Sequence, residues 1–386
     1  MEHITILRDL LKIKSVSGKE SNILNYIFKN IKALGLMPFF VEGNLVVKID
    51  GKDSSKALIF NAHVDTVSPG DTKTWKYSPF EGHLVNNKMY GLGASDDKSG
   101  VAVLMLLAKY LEATKSLQCD VWLTFVVKEE LDGSGTKSFL NWFEEKGYKR
   151  KYKNLSAILL EPTDFCTLEL GHRGNVFVSL TTRGNSGHGS QPKSIKIHSV
   201  LAMMNILQEI QKIEKKWIAD YSHSLLGSPS VGITSIHAGD IHVPNKFPET
   251  CVLTLDIRTT PTLHAIVLKE LKKSLKEYPV DIEFLYEPAP FGLTSKESPI
   301  VSAIRTILDD RVKLSISKGS TDQCFFTKRD ISAVVFGPGE RKTIHQPNEY
   351  CHLDNITKSL DMFMSLIDIW PNIKAQNEIA SRRHRR

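Results

Sequence analysis

The chain has 386 residues, 41% hydrophobic and 24% charged, the make-up of a globular protein with two domains or one large domain carrying an insertion. Four arginines of the terminal SRRHRR contribute to the formal net charge of +7, so the body is only mildly basic; with no aromatic-interleaved basic patch, nucleic acid is not expected as a partner and the tail reads as a solubilising end. The longest apolar run, Val101 to Ala108, is too short to span a bilayer, and the N-terminus lacks the apolar core of a signal peptide. Cys119, Cys166, Cys251, Cys324 and Cys351 are scattered without a C-x-x-C pair, as free thiols in a reducing compartment would be. A soluble cytoplasmic protein without membrane attachment is expected.

Amphipathic spacing predicts a first helix over residues 3–14, ended by the SVSG loop, and a second over about 21–34. A strand at 45–49 follows, then the apolar ALIF at 57–60, which leads a strand into NAHVDTVSPGD. The glycine-rich turn MYGLGASDDKSG opens a helix at about 99–111. VWLTFVV at 121–127 and LSAILLE at 155–161 read as buried strands. Apolar strands alternating with helices predict an α/β domain with a largely parallel sheet, whose ligand groups should lie at the carboxyl ends of the strands. The middle of the chain changes character: strand 176–183, helix 198–217, strands 231–237 and 251–259, helix 263–278, strand 281–286. This β-α-β-β-α-β order is the ferredoxin-like unit. The expectation is therefore an inserted α+β domain at 175–290 between two parts, 1–174 and 291–386, of one catalytic domain.

The chemistry-bearing residues fall at the ends of these strands. His63 and Asp65 stand two apart, so strand geometry puts them on one face, where the carboxylate can receive the second ring N–H of a metal-binding imidazole. Further ligand types follow: Asp96 and Asp97 before a helix, Glu129 and Glu130 after the strand at 121–127, Glu161 in EPTD, and His345 in FGPGERKTIHQPNEY. Taken singly, each carboxylate reads equally well as a solvated or capping residue. Together, two histidines and several carboxylates suit zinc, with manganese or cobalt as alternatives, and the spacing is not the helical H-E-x-x-H.

These five segments, in this order, resemble the zinc-dependent M20 metallopeptidase family, and the resemblance spans nearly the whole chain. It implies two zinc ions per chain, with cobalt or manganese as substitutes. His63 and Glu161 would hold one ion and Glu130 and His345 the other, with Asp96 bridging and Asp65 orienting His63. Asp96 is favoured over Asp97 because the family ligand stands two residues before the lysine, here Lys98. The resemblance further implies that Glu129 is the general base and that the insert is a lid and homodimerisation domain. His188, in RGNSGHGSQP, would reach the partner's active site as an oxyanion donor; by itself it reads as an exposed loop histidine. Asn245 and Arg258 match positions that hold a substrate carboxylate, and Gly319, Ser320 and Thr321 a glycine-rich substrate loop. Arg173 reads either as a cleft residue or as a hinge salt bridge. One departure is Gly91-Leu92-Gly93 in place of the common G-R-G.

The resemblance implies hydrolysis of the amide bond of an N-acyl amino acid or short peptide. GPGERKTIHQPNEY is most like acetylornithine deacetylases; succinyl-diaminopimelate desuccinylases and glutamate carboxypeptidases are the alternatives. A catalytically silent ligand-binding or partner-binding member would be signalled by a lost ligand or a replaced Glu129, and neither is lost.

Overall fold

The structure, a computed structural model, describes residues 2–114, 116–309 and 312–373; the basic tail at 381–386 lies outside them. The chain divides into two compact units, Met1–Gly171 with Leu293–Ile316 and Thr321–Arg386, and His172–Gly292 with Ser317–Ser320. No helix among the described residues is long and apolar enough to cross a membrane.

The first unit is built on a mixed sheet. Its strands run in the order Phe39–Val41, Asn44–Ile49, Cys119–Val126, Asp53–His63, Asn154–Leu159, Ser332–Val335, Thr167–His172 and Gly292–Leu293, with Lys313–Ser317 pairing off this path. The pairings among Cys119–Val126, Asp53–His63, Asn154–Leu159 and Ser332–Val335 are parallel. Antiparallel strands flank them. Every residue of Cys119–Val126 is buried, as a strand covered on both faces must be. The helix Lys98–Ala113 is buried on all sides over its first eleven residues, through Ala108. Two tryptophans and five other aromatic residues, among them Trp122, Phe139 and Phe143, pack near one end of the sheet.

One parallel strand ends in His63, two lead within three residues to Glu129 and Glu161, and the fourth runs into the GPG loop, so the sheet itself gathers the site at its carboxyl edge.

The second unit is a four-stranded antiparallel sheet ordered Ser230–Ala238, Thr250–Thr259, Gly174–Arg183, Val280–Phe284. This is the ferredoxin-like order. One face carries Val176, Val178, Leu180, Leu253, Leu255 and Ile257 against Met203, Ile206, Ile210 and Trp217 of the helix Ser199–Tyr221. The helix expected over 263–278 is instead two, Pro261–His264 and Val267–Ser274. β-branched Ile266 lies between them at φ −123° and ψ 2°, off the helical values. The helices Ser134–Glu145, Pro299–Leu308 and Leu353–Ile369 had no sequence expectation.

Candidate metal centre

His63 is the last residue of its strand and is buried. Its Nδ1 lies 3.0 Å from the backbone carbonyl of Asp65 and 3.5 Å from the Asp65 carboxylate. Nδ1–H therefore donates to the carbonyl, which leaves Nε2 as the atom with a free lone pair. The Asp65 carboxylate has other work: it accepts the Ser17 hydroxyl at 2.6 Å and the backbone N–H groups of Glu129 and Glu130 at 3.1 and 3.2 Å. It thus pins the turn that presents both glutamates. Asn44 holds the same turn from below, accepting Val127 N–H at 3.1 Å and donating to the Gly135 carbonyl at 2.9 Å.

Asp96 sits between two histidines. Its Oδ1 lies 2.9 Å from His63 Nε2, and its Oδ2 lies 3.6 Å from His345 Nε2. His345 Nε2 is also 2.9 Å from the Glu130 carboxylate, and His63 Nε2 is 3.8 Å from Glu161. Two triads have ligand atoms all within 4.8 Å of one another: His63 with Glu129 and Glu161, and His63 with Asp96 and Glu130. The triads share His63, and the two oxygens of Asp96 face different histidines.

The glycines of the GPG loop allow this assembly. A Cβ on Gly337 would lie 1.9 Å from the Leu160 carbonyl oxygen, and one on Gly339 2.4 Å from that of Ser95. Backbone alone fits between the strand leading to Glu161 and the turn bearing Asp96, and Thr163 Oγ1 stitches the loop through both N–H and C=O of Gly337 at 3.0 and 3.1 Å.

The electrostatics ask for a cation. Burial raises the Glu161 carboxyl well above the usual range, reinforced by Glu129 and Asp96. Burial does the same to Glu129, with Asp322, Asp96 and Glu130 adding to it. Burial opposes a charge on His63, yet Glu161, Asp65 and Asp96 together raise its pKa well above 6.5. The hydrogen bond to Glu130 lifts His345 to about 9. Crowded carboxylates that repel one another, opposed by two imidazoles, form an N/O donor set that a divalent ion such as zinc, manganese or cobalt would neutralise.

Three contributors were given no role of their own from the sequence. Glu349, buried, accepts backbone N–H groups of the Asp96 turn. Lys98, equally buried, donates to the carbonyls of Leu10 and Ile13 at 3.1 and 2.7 Å. Asp322 precedes the helix Gln323–Thr327 and is buried beside Thr136, with its carboxyl raised to about 7 by desolvation.

The remaining candidates lie in the second unit, apart from Thr321, which falls in the first. His188 pairs with Lys246 in a two-residue ladder, and Gly189 N–H donates to the Asn245 carbonyl at 2.6 Å, so His188 and Asn245 are neighbours. Ser190 N–H donates to His188 Nδ1 at 3.2 Å, which places the proton of a neutral ring on Nε2. Arg258 makes a two-point pair with Asp256 at 2.9 and 3.0 Å. Arg173 donates to the Ser228 carbonyl at 2.7 Å and the Ser230 hydroxyl at 3.3 Å. Ser320 Oγ lies 3.5 Å from His172 Nδ1, and a Cβ on Gly319 would meet nothing within 4 Å.

Fold and cluster together define a metal-dependent amidohydrolase. Residues 59–369 match the model of peptidase family M20/M25/M40, and the chain belongs to that family. It is 28% identical to an uncharacterized metallohydrolase of Methanocaldococcus jannaschii, over 93% of this chain and 92% of that protein. It is 27% identical to the acetylornithine deacetylase of Vibrio atlanticus, over 84% of this chain and 83% of the relative. An M20 family metallo-carboxypeptidase from Sulfolobus solfataricus shares the fold with a TM-score of 0.74 at 20% identity, covering 96% of this chain and 99% of that one.

Proposed function

We propose that the protein hydrolyses the amide bond of an N-acyl-L-amino acid, acting on a substrate of the acetylornithine type, with two zinc ions per chain. The observation that carries the dinuclear reading is the Asp96 carboxylate, one oxygen toward His63 and the other toward His345. His63, Asp96 and Glu161 would hold one ion; Asp96, Glu130 and His345 the other. Ions bound there supply Lewis-acid polarisation of the amide carbonyl and lower the pKa of water. Glu129, at the site beside Asp96 and Glu161, takes the proton of the attacking water and delivers it to the leaving amine. His188, with its proton on Nε2, is suited to donate to the oxyanion. Arg258 and Asn245 are assigned to the substrate carboxylate, and the 319–321 loop and Arg173 to other substrate contacts.

Supporting the deacetylase reading over a desuccinylase or a glutamate carboxypeptidase are the GPGERKTIHQPNEY segment and the Vibrio relative. In the same reading residues 1–174 and 291–386 form the catalytic domain, 175–290 a lid through which the chain forms a homodimer, and the enzyme works in the cytoplasm. The test is elemental analysis followed by a panel of N-acetyl and N-succinyl amino acids and glutamate-terminated dipeptides. Expected are close to two metals per chain and the highest kcat/KM on N-acetyl-L-ornithine. An active protein that never holds more than one metal overturns the dinuclear site; preference for N-succinyl substrates or dipeptides overturns the deacetylase reading alone.

A further inference from the structure

Glu349 supplies no atom to either ligand triad, yet it binds the two halves of the centre together. Its carboxylate is buried and receives three backbone N–H groups: Gly93 on Oε2 at 2.8 Å, and Ser95 and Asp96 on Oε1 at 2.8 and 2.9 Å. Its own carbonyl accepts Gly91 N–H at 3.0 Å. Next to it, Asn348 Oδ1 accepts the N–H groups of Lys76 and Tyr77 at 2.6 and 3.3 Å. Four residues before Glu349, the same segment carries His345, whose Nε2 faces both Glu130 and Asp96. One short stretch therefore presents one candidate ligand and grips the backbone of another.

We propose that Glu349 is a positioning residue that locks the Asp96 turn to the His345 segment, so that the paired site stands assembled before cations arrive. A buried carboxylate beside Asp96 adds repulsion to an already acidic cluster, and cations at Asp96 relieve it. All three donors are backbone N–H groups, so the side chain must use both of its oxygens as acceptors. A carboxamide cannot, because one of its two heavy atoms is itself a donor.

This inference rests on the dinuclear reading, and wild-type protein tests that reading first by binding two equivalents of zinc in chelator competition. Glu349→Gln and Glu349→Asp are then compared with wild type as folded, metal-free proteins, checked by circular dichroism. Expected is a 10- to 100-fold loss of zinc affinity in Glu349→Gln, the range found when groups behind metal ligands are changed. The visible bands of the cobalt-loaded protein should shift with it. Glu349→Asp, which keeps the charge but withdraws it by one methylene, should recover part of the affinity. Wild-type constants and spectrum in folded Glu349→Gln, or in Glu349→Asp if the first does not fold, overturn the proposal. Failure of both to fold also overturns it, assigning Glu349 to folding alone. A wild-type protein with fewer than two sites overturns the dinuclear reading and this inference with it.

Discussion

Two adjacent glutamates, Glu129 and Glu130, show how much a single residue step decides. Asp65 holds both of their backbone N–H groups, yet their side chains have different surroundings: Glu130 meets His345 at 2.9 Å, while Glu129 is lifted by burial and Asp322. Glu129→Gln should keep metal and substrate binding and lose about 10²- to 10⁴-fold in kcat, the span of general-base catalysis. Glu130→Gln should instead release metal, visible as lowered stoichiometry after dialysis. Normal turnover in Glu129→Gln would remove it from the proton-transfer role. The paired glutamates were legible in sequence because a carboxylate doublet after an all-apolar strand is conspicuous. Glu349 was not: between Asn348 and Tyr350 it looks like any loop glutamate, and only the fold reveals the three amides it accepts.

Among the elements, the strand Cys119–Val126 carries opposite tasks at its two ends. Its exit leads to the turn that carries Glu129 and Glu130, whereas its entry holds Asp120, fully buried. Desolvation would raise that carboxyl, but Gly51 N–H at 3.0 Å, the Tyr152 hydroxyl at 2.7 Å, Lys151 at 3.2 Å and Lys48 at 3.4 Å outweigh it and lower its pKa. A carboxylate depressed on folding stabilises above its unfolded pKa of about 3.9, and that contribution fades as pH falls through the lower folded value. Asp120→Asn should therefore cost about 1.5–3 kcal/mol at pH 7, the worth of hydrogen bonds to a charged group. The difference in Tm from wild type should shrink as the pH is lowered toward 3. A gap constant with pH would show that ionisation of Asp120 contributes nothing. Core strands such as this one were readable from largely apolar stretches, here VWLTFVV at 121–127. The short strands His83–Val85, Lys88–Tyr90 and Tyr350–His352 were not, because three residues offer no measurable period and Tyr350–His352 pairs with Lys88–Tyr90 across about 260 positions.

At the scale of the molecule, the sequence order of strands and helices was enough to anticipate an α/β unit and a ferredoxin-like one, since each is a distinct alternation of elements. The assignment of His188 to a partner chain has no counterpart in local pattern and calls for an experiment on mixed dimers. Glu129→Gln chains keep His188, and His188→Ala chains keep the metal centre. Refolded together, they should regain up to about a quarter of wild-type activity per site if pairing into twofold dimers is random. No recovery, with dimers confirmed by light scattering, would place His188 within its own chain's chemistry or outside it.

The contacts of Lys98 and Ser17 also give the amino terminus an unexpected standing. The Lys98 ammonium closes the last turn of the helix Glu2–Lys12 through the Leu10 and Ile13 carbonyls, and Ser17 hangs its hydroxyl on Asp65. The opening stretch of the chain, which holds no candidate ligand, is thus tied to Lys98 beside Asp96 and to Asp65 beside His63. A proteolytic nick or a bulky fusion there would act on metal retention at a distance, like slackening a guy-rope rather than cutting the mast.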